Sequence, residues 1–169
     1  MALTITTAMA DSFKSEILQG IHKFLASGGN TFKMLLLTAT AAGAGTYSQL
    51  NTNVGTPGTG SPTITNVGTD ETTDTSGNNQ YTSGGFTMTP NANPSLDLTN
   101  NVAYINWTTN PSWGPAATIT SRGAILWNVT AGGNIVGIFD FGADKTCTTG
   151  TFTVTLPAAA YNTAIVRIA

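Results

Sequence analysis

The sequence predicts a mainly β protein, an antiparallel β-sandwich with one N-terminal α-helix packed against it. Three observations carry that expectation. Through the second half of the 169 residues, short runs alternate apolar and polar side chains at period two, the pattern of half-buried strands. Gly, Pro and Asn clusters divide these runs into about eight strands. Only one segment, near the start, repeats apolar residues at helical spacing.

Residues 1–10 hold no basic residue and no apolar block of signal-peptide length, and they read as an extended N-terminal arm. The helix follows over residues 11–27, where Phe13, Ile17, Leu18, Ile21, Phe24 and Leu25 fall on one face. Asp11 or Ser12 is placed to accept the free amide hydrogens of the first turn, Glu16 lies near the positive end, and Gly28-Gly29 provides the stop. Gly20 weakens the middle by about 1 kcal/mol relative to Ala. A helix with one apolar stripe needs a surface to bury against. Phe13, Ile17, Ile21 and Phe24 are therefore candidate contacts, with the sheet or with a neighbouring subunit.

After the helix, Phe32 to Thr38 is a short apolar strand. Residues 47–79 are Gly, Thr, Asn, Ser and Pro with isolated apolar positions, a long surface loop of the kind that is usually functional or disordered. Strands are expected at 85–89, 95–99, 102–107, 124–129, 135–141, 151–156 and 164–168. Ala131-Gly-Gly-Asn134 is the clearest hairpin, because two glycines supply the positive φ of a tight turn. Length fits one domain over 11–169, and no fixed-period repeat is present.

Composition removes whole classes of function. Only 8% of residues are charged, against about a quarter in ordinary globular chains, while 32 Thr and 15 Asn supply neutral polarity. Six basic residues across the chain do not build a nucleic-acid footprint. The weakly polar run from Met34 to Ala44 is too short for a spanning helix, so no membrane partner is expected. The single Cys147 forms no intrachain disulfide and no thiol pair for zinc, which fits synthesis in a reducing cytoplasm. Two sequons, Asn106-Trp-Thr108 and Asn128-Val-Thr130, match what chance gives in so Thr- and Asn-rich a chain.

No constellation predicts a catalytic site, a metal or a cofactor. His22 reads as a boundary side chain of the helix, with no second His to share a metal. Cys147 lies near Lys145, on what reads as a flexible turn, and is expected to be structural or solvated. Asp140, Asp144 and Lys145 form the tightest charge cluster; too few oxygen ligands surround it for calcium, and a turn held by Asp side chains is preferred. Asp70, Glu71 and Asp74 have the same weakness as a metal site. The Gly pairs lack the helix start and Lys of a phosphate loop. Trp107 and Trp127 fall at core positions of strands, whereas Trp113, between two prolines, reads as a loop residue exposed or filling a subunit contact.

Several blocks together resemble small tailed-bacteriophage virion proteins. They are Phe13-Lys14 through Leu18 with Thr31-Phe-Lys-Met-Leu-Leu-Leu-Thr38, then Tyr81-Thr-Ser-Gly-Gly-Phe-Thr-Met, Ile119-Thr-Ser-Arg-Gly-Ala-Ile-Leu126, Phe139-Asp-Phe-Gly-Ala-Asp-Lys145 and Gly150-Thr-Phe-Thr-Val-Thr-Leu-Pro157. Residues 47–79 are longer and more Gly-rich than in similar proteins. The resemblance implies a virion structural protein with a jelly-roll-like sandwich: a capsid decoration or cement protein that bridges the major capsid protein lattice on the capsid surface. It brings no catalytic residues, so an enzyme is not expected. By analogy the protein is a homo-oligomer, with a trimer preferred. The alternatives are a tail, neck or fibre component, and a host-surface or glycan-binding module using Trp113 and the 47–79 loop.

Overall fold

The computed structural model describes residues 2–90, 92–107 and 109–169, so Met1 of the expected arm and Thr108 of the first sequon lie outside the described residues. The chain is mainly β, with antiparallel sheets and one helix. In order it forms β1 (Thr4–Ile5), β2 (Ala8–Met9), α1 (Asp11–Leu18), β3 (Phe32–Leu37), β4 (Thr46–Tyr47), a 3-10 turn (Gly68–Asp70), β5 (Phe86–Met88), β6 (Ser95–Asp97), β7 (Val102–Ile105), β8 (Ser112–Asn128), β9 (Asn134–Thr153) and β10 (Val166–Ile168). The main sheet has five strands in the order β2-β9-β8-β3-β5, and a second has three in the order β10-β7-β6. β1 and β4 form a separate parallel pair.

Local sequence explains the centre of the main sheet. Met34 to Leu37 is continuously apolar, as a strand covered on both faces requires, and all four side chains are buried. β8 and β9 join through the expected hairpin, where Gly132 and Gly133 have φ of 70° and 101°. Asn128 holds that turn, its Oδ1 accepting the amide hydrogen of Ala131 at 3.1 Å. β8 and β9 run 17 and 20 residues, longer than the separate short strands expected from alternation. Bulges explain the difference: residues 141–144 of β9 lie opposite Arg122 alone, so the period-two pattern breaks while the pairing continues.

The expected helix over 11–27 is corrected to Asp11–Leu18. Gly20 adopts φ 69°, which an L side chain rarely does, and ends the helix early. Beyond it, residues 21–25 are extended, with His22 and Phe24 turned inward and Lys23 and Leu25 outward. Apolar spacing there fits both periods, and the glycine decides. Neither Asp11 nor Ser12 caps α1: the cap position is Ala10, whose backbone donates to Val136 O at 3.2 Å. Residues 47–79 are likewise no loose loop, since Val54, Val67, Asp70, Glu71 and Thr72 are buried.

The segment expected as an arm is built into the fold. β1 pairs with β4, β2 pairs with Gly137 and Ile138 of β9, and Leu3, Ile5 and Ala10 are buried. Burying a Leu or Ile side chain contributes roughly 1.5–3 kcal/mol. Removal of residues 2–10 is therefore expected to lower the midpoint of thermal unfolding, followed by circular dichroism, well below that of the full chain. An unchanged midpoint would show the arm to be dispensable for folding.

Candidate functional site

Three of the five candidate contact residues, Phe13, Ile17 and Phe24, lie in or beside one aromatic cluster. Phe13 of α1, Phe24 of the extended segment, Phe32 of β3 and Trp107 beyond β7 are buried against one another, with Phe24 and Phe32 stacked at 4.8 Å and Trp107 edge-on to Phe32 at 5.6 Å. Ile17 is half-buried and packed against the core, and Ile21 is half-buried. Phe13 and Phe24 thus bind the helix to the sheets of their own chain. Trp113 is corrected more sharply: it sits on β8, only 4% exposed, packed on Tyr81, Phe86 and Phe152. Two prolines flank it without making a loop. Trp107 and Trp127 are buried as expected.

His22 is buried, not at a boundary, and its protons can be placed. The backbone amide of Lys23 donates to Asn30 Oδ1 at 2.7 Å, and that of Ala131 donates to Asn128 Oδ1. Asn128 Nδ2 then donates to Asn30 Oδ1 and to His22 Nδ1, both at 3.0 Å. Nδ1 is therefore the acceptor, and Nε2–H donates to Glu16 Oε2 at 2.6 Å. The network ties α1, the extended segment and the β8–β9 hairpin together. The same geometry argues against modification of Asn128, which is fully buried and bonded through both amide atoms. Asn106 is buried too, its Nδ2 donating to Pro157 O at 2.5 Å.

The acidic group at 70–74 is dispersed among three backbone anchors. Asp70 accepts the amides of Ala44 and Gly45 at 3.0 and 2.7 Å and the Tyr47 hydroxyl at 3.1 Å. Glu71 accepts the Tyr81 hydroxyl at 2.9 Å, and the Ser83 hydroxyl and Gly84 amide at 2.6 Å each. Burial raises the Glu71 carboxyl above the usual range, against the lowering effect of those donors and of Lys33. Asp74 accepts the amides of Thr118, Gln80 and Ser76, and they hold it well below the usual carboxylate range. Burial, then the nearby carboxylates, push Tyr47 and Tyr81 above the usual tyrosine range. Among the described residues, no three His, Cys, Asp or Glu side chains are grouped to hold a metal.

The second charge cluster is a bulge in β9. Asp140 pairs with Arg122 Nε at 3.0 Å and accepts the Gly142 amide at 2.9 Å, the local Asp-held backbone that was expected. Asp144 instead reaches Thr40, whose hydroxyl and amide hold its carboxyl below the usual range. Cys147 lies on β9, paired with Ile119 and donating to Ala117 O at 3.4 Å, so it is not on a flexible turn. Lys145 has no carboxylate within 4.0 Å among the described residues.

What remains available for contact is apolar surface. Between α1 and the three-stranded sheet lies a recess lined by Ile17, Phe24, Pro94, Ala103, Ile105 and Ile168. Leu18 beside it is 89% exposed and Ile168 is 54% exposed. Leu96 pairs with Ala103, which pairs with Ile168, so the three form one row across the sheet. The sequence pattern assigns these positions to half-buried strands, because alternation identifies an apolar face but not what covers it. No family model, curated protein or solved structure matches the chain. No helix among the described residues is long and apolar enough to cross a membrane.

Glu71→Ala leaves three donors without their acceptor and is expected to lower stability by about 3 kcal/mol, whereas Glu71→Gln keeps an acceptor for Tyr81 and Gly84 and should fold with near-native stability at pH 7, both read by urea titration. Asp74 has a lowered folded-state pKa, so its contribution is present above the ordinary carboxylate range and is lost as pH falls through the lowered value. Asp74→Asn should therefore be less stable than the native chain at pH 7 and lose less stability on acidification below about pH 4, measured by thermal melts across that range. Glu71 contributes with the opposite sign, since its raised value favours the folded state more at low pH.

Proposed function

We propose that this chain is a bacteriophage virion structural protein, a capsid decoration protein that binds the assembled major capsid protein lattice and holds neighbouring subunits together. In this reading it is made in the host cytoplasm, acts on the capsid surface as a homo-oligomer, preferably a trimer, and catalyses nothing. Its two principal sheets then correspond to a sandwich of jelly-roll type. The observation that carries the reading is the apolar recess beside Leu18 and Ile168, on a chain whose surface is otherwise Thr- and Asn-rich with few charges. Exposed apolar surface of this kind marks contact sites. The resemblance of several sequence blocks to small phage virion proteins supplies the partner in this reading. His22 and the carboxylates at 70, 71, 74, 140 and 144 are engaged in internal hydrogen bonds, which supports a structural role over catalysis.

A ligand that binds the intact shell and not its free subunits stabilises the shell by RT ln(1 + [L]/Kd) per site, about 3 kcal/mol at a hundredfold excess over Kd. Saturating protein added to expanded heads that lack it should therefore raise the temperature at which they rupture. The gain should persist in high salt, because apolar contacts are not screened. Leu18→Asp or Ile168→Asp should weaken the effect. Equal rupture with and without the protein, together with its recovery on tails or on cells, would move the assignment to a tail component or a host-surface module.

A further inference from the structure

We propose that the space beneath the C-terminal segment, residues 154–165, binds a small aliphatic carboxylate, its chain lying on the face of the main sheet and its head group at Lys145. This goes beyond the capsid reading and does not depend on it. Two adjoining cavities make the site. The inner one, about 350 Å³, has a floor of Met34, Ala124, Phe139 and Phe141 from three strands of the main sheet and a roof that includes Leu156 and Ile165. Met34 and Ala124 are buried, and Ala124 pairs across strands with Phe139. Native interiors keep few voids larger than a water molecule, and a cavity walled by apolar side chains stays dry and takes up apolar molecules. An aliphatic chain gives those walls the contacts of a packed interior.

The outer cavity, about 490 Å³, shares Phe141, Val154 and Thr155 with the inner one, so the two adjoin. Its lining is mixed, Phe152 and Cys147 beside threonines, with Lys145 as the one charged residue. Lys145 has no carboxylate within 4.0 Å among the described residues, which leaves its ammonium for an anion. Thr151 and Thr155 stand in the same lining, and their hydroxyls can donate to a carboxylate oxygen. Mostly apolar walls with a few polar groups, at this size, are the usual form of a small-molecule site. The ligand that suits both cavities has an apolar chain for the inner one and a single negative head for the outer. The roof also offers a way in. Hydrogen bonds of residues 154–165 run to Asn106, Asn110, Pro111 and Arg167 and within the segment, and among the described residues none reaches β3, β8 or β9. The segment rests on the sheet face through side chains alone, so it can lift to admit a chain without breaking a strand pairing.

The test uses the purified full chain, with no particle present, and laurate below its micelle concentration as the probe. Laurate is expected to bind saturably in isothermal titration calorimetry, to raise the midpoint of thermal unfolding, and to slow the reaction of Cys147 with a thiol reagent at least tenfold. Cys147 is the one cysteine of the chain and lines the outer cavity, so its rate reports where the ligand sits. Lys145→Glu should weaken laurate binding at least tenfold while circular dichroism stays native, since that side chain is exposed. Ala124→Leu should fill the inner cavity and abolish binding; should that variant fail to fold, Ile165→Trp closes the same space from the roof. Dodecyltrimethylammonium, with the same chain length and a positive head, should bind at least tenfold more weakly than laurate. Equal binding of the two amphiphiles, binding that Lys145→Glu or the cavity-filling variant leaves unchanged, or a Cys147 that reacts as fast with laurate as without it would each overturn the proposal, as would the lack of any saturable binding. The capsid reading is decided separately, by the rupture of heads.

Discussion

The packing of Phe13, His22, Phe24, Phe32 and Trp107 is the constraint on which the rest of the molecule depends. These side chains come from the helix, the segment that follows it, the start of β3 in the five-stranded sheet and the chain just beyond β7, and they converge within 4.8 to 6.4 Å. A sheet buries one face only when something covers it. Here an eight-residue helix and an extended strap do so, and neither would be stable alone. The strap is fixed in turn by a polar network whose orientation is set by two backbone amides, those of Lys23 and Ala131.

Scarcity of charge makes each carboxylate consequential. A chain with eight acidic residues uses Asp70, Glu71 and Asp74 to anchor backbone that lacks enough apolar side chains to pack by itself. Val54 and Val67 add small apolar contacts, and the long 47–79 excursion is held by backbone hydrogen bonds together with bonds to carboxylates and Asn side chains. Charge-assisted bonds are stronger than neutral ones, and a buried carboxylate with three donors is a specific anchor, since few alternative backbones offer the same donors. Neutral polarity outside and anchored carboxylates inside leave exposed apolar side chains such as Leu18, Leu96 and Ile168 as the surface on which the proposed contact role rests.

The long strands β8 and β9 carry both the core and the edge. Their hairpin end is deeply buried, while the far half of β9 is largely exposed beyond its bulge. Bulges re-aim a strand and break the flatness of an edge. In this chain they leave only a short stretch of regular edge, beside a cavity that mixes Phe141, Cys147, Phe152 and Val154 with four threonines and Lys145.

The sequence by itself determined the local elements: a mainly β chain, the strands around Met34, Phe86, Leu96, Val102 and Val166, the Gly132-Gly133 hairpin, and the burial of Trp107 and Trp127. Each depends on period-two alternation or on a glycine's conformation, which are properties of neighbouring residues. Only the tertiary structure decided that the helix stops at Leu18, that His22 is buried, that Trp113 lies in the core, and that the acidic residues serve backbone amides far along the chain. Apolar spacing after Gly20 suits a helix and a strand alike; the left-handed Gly20 ends the helix, and Asn30 and Asn128 from distant segments then hold the segment beyond it in place. The exposure of Leu18, Leu96 and Ile168 was hidden for the same reason: a pattern marks an apolar face, while covering it requires another part of the fold.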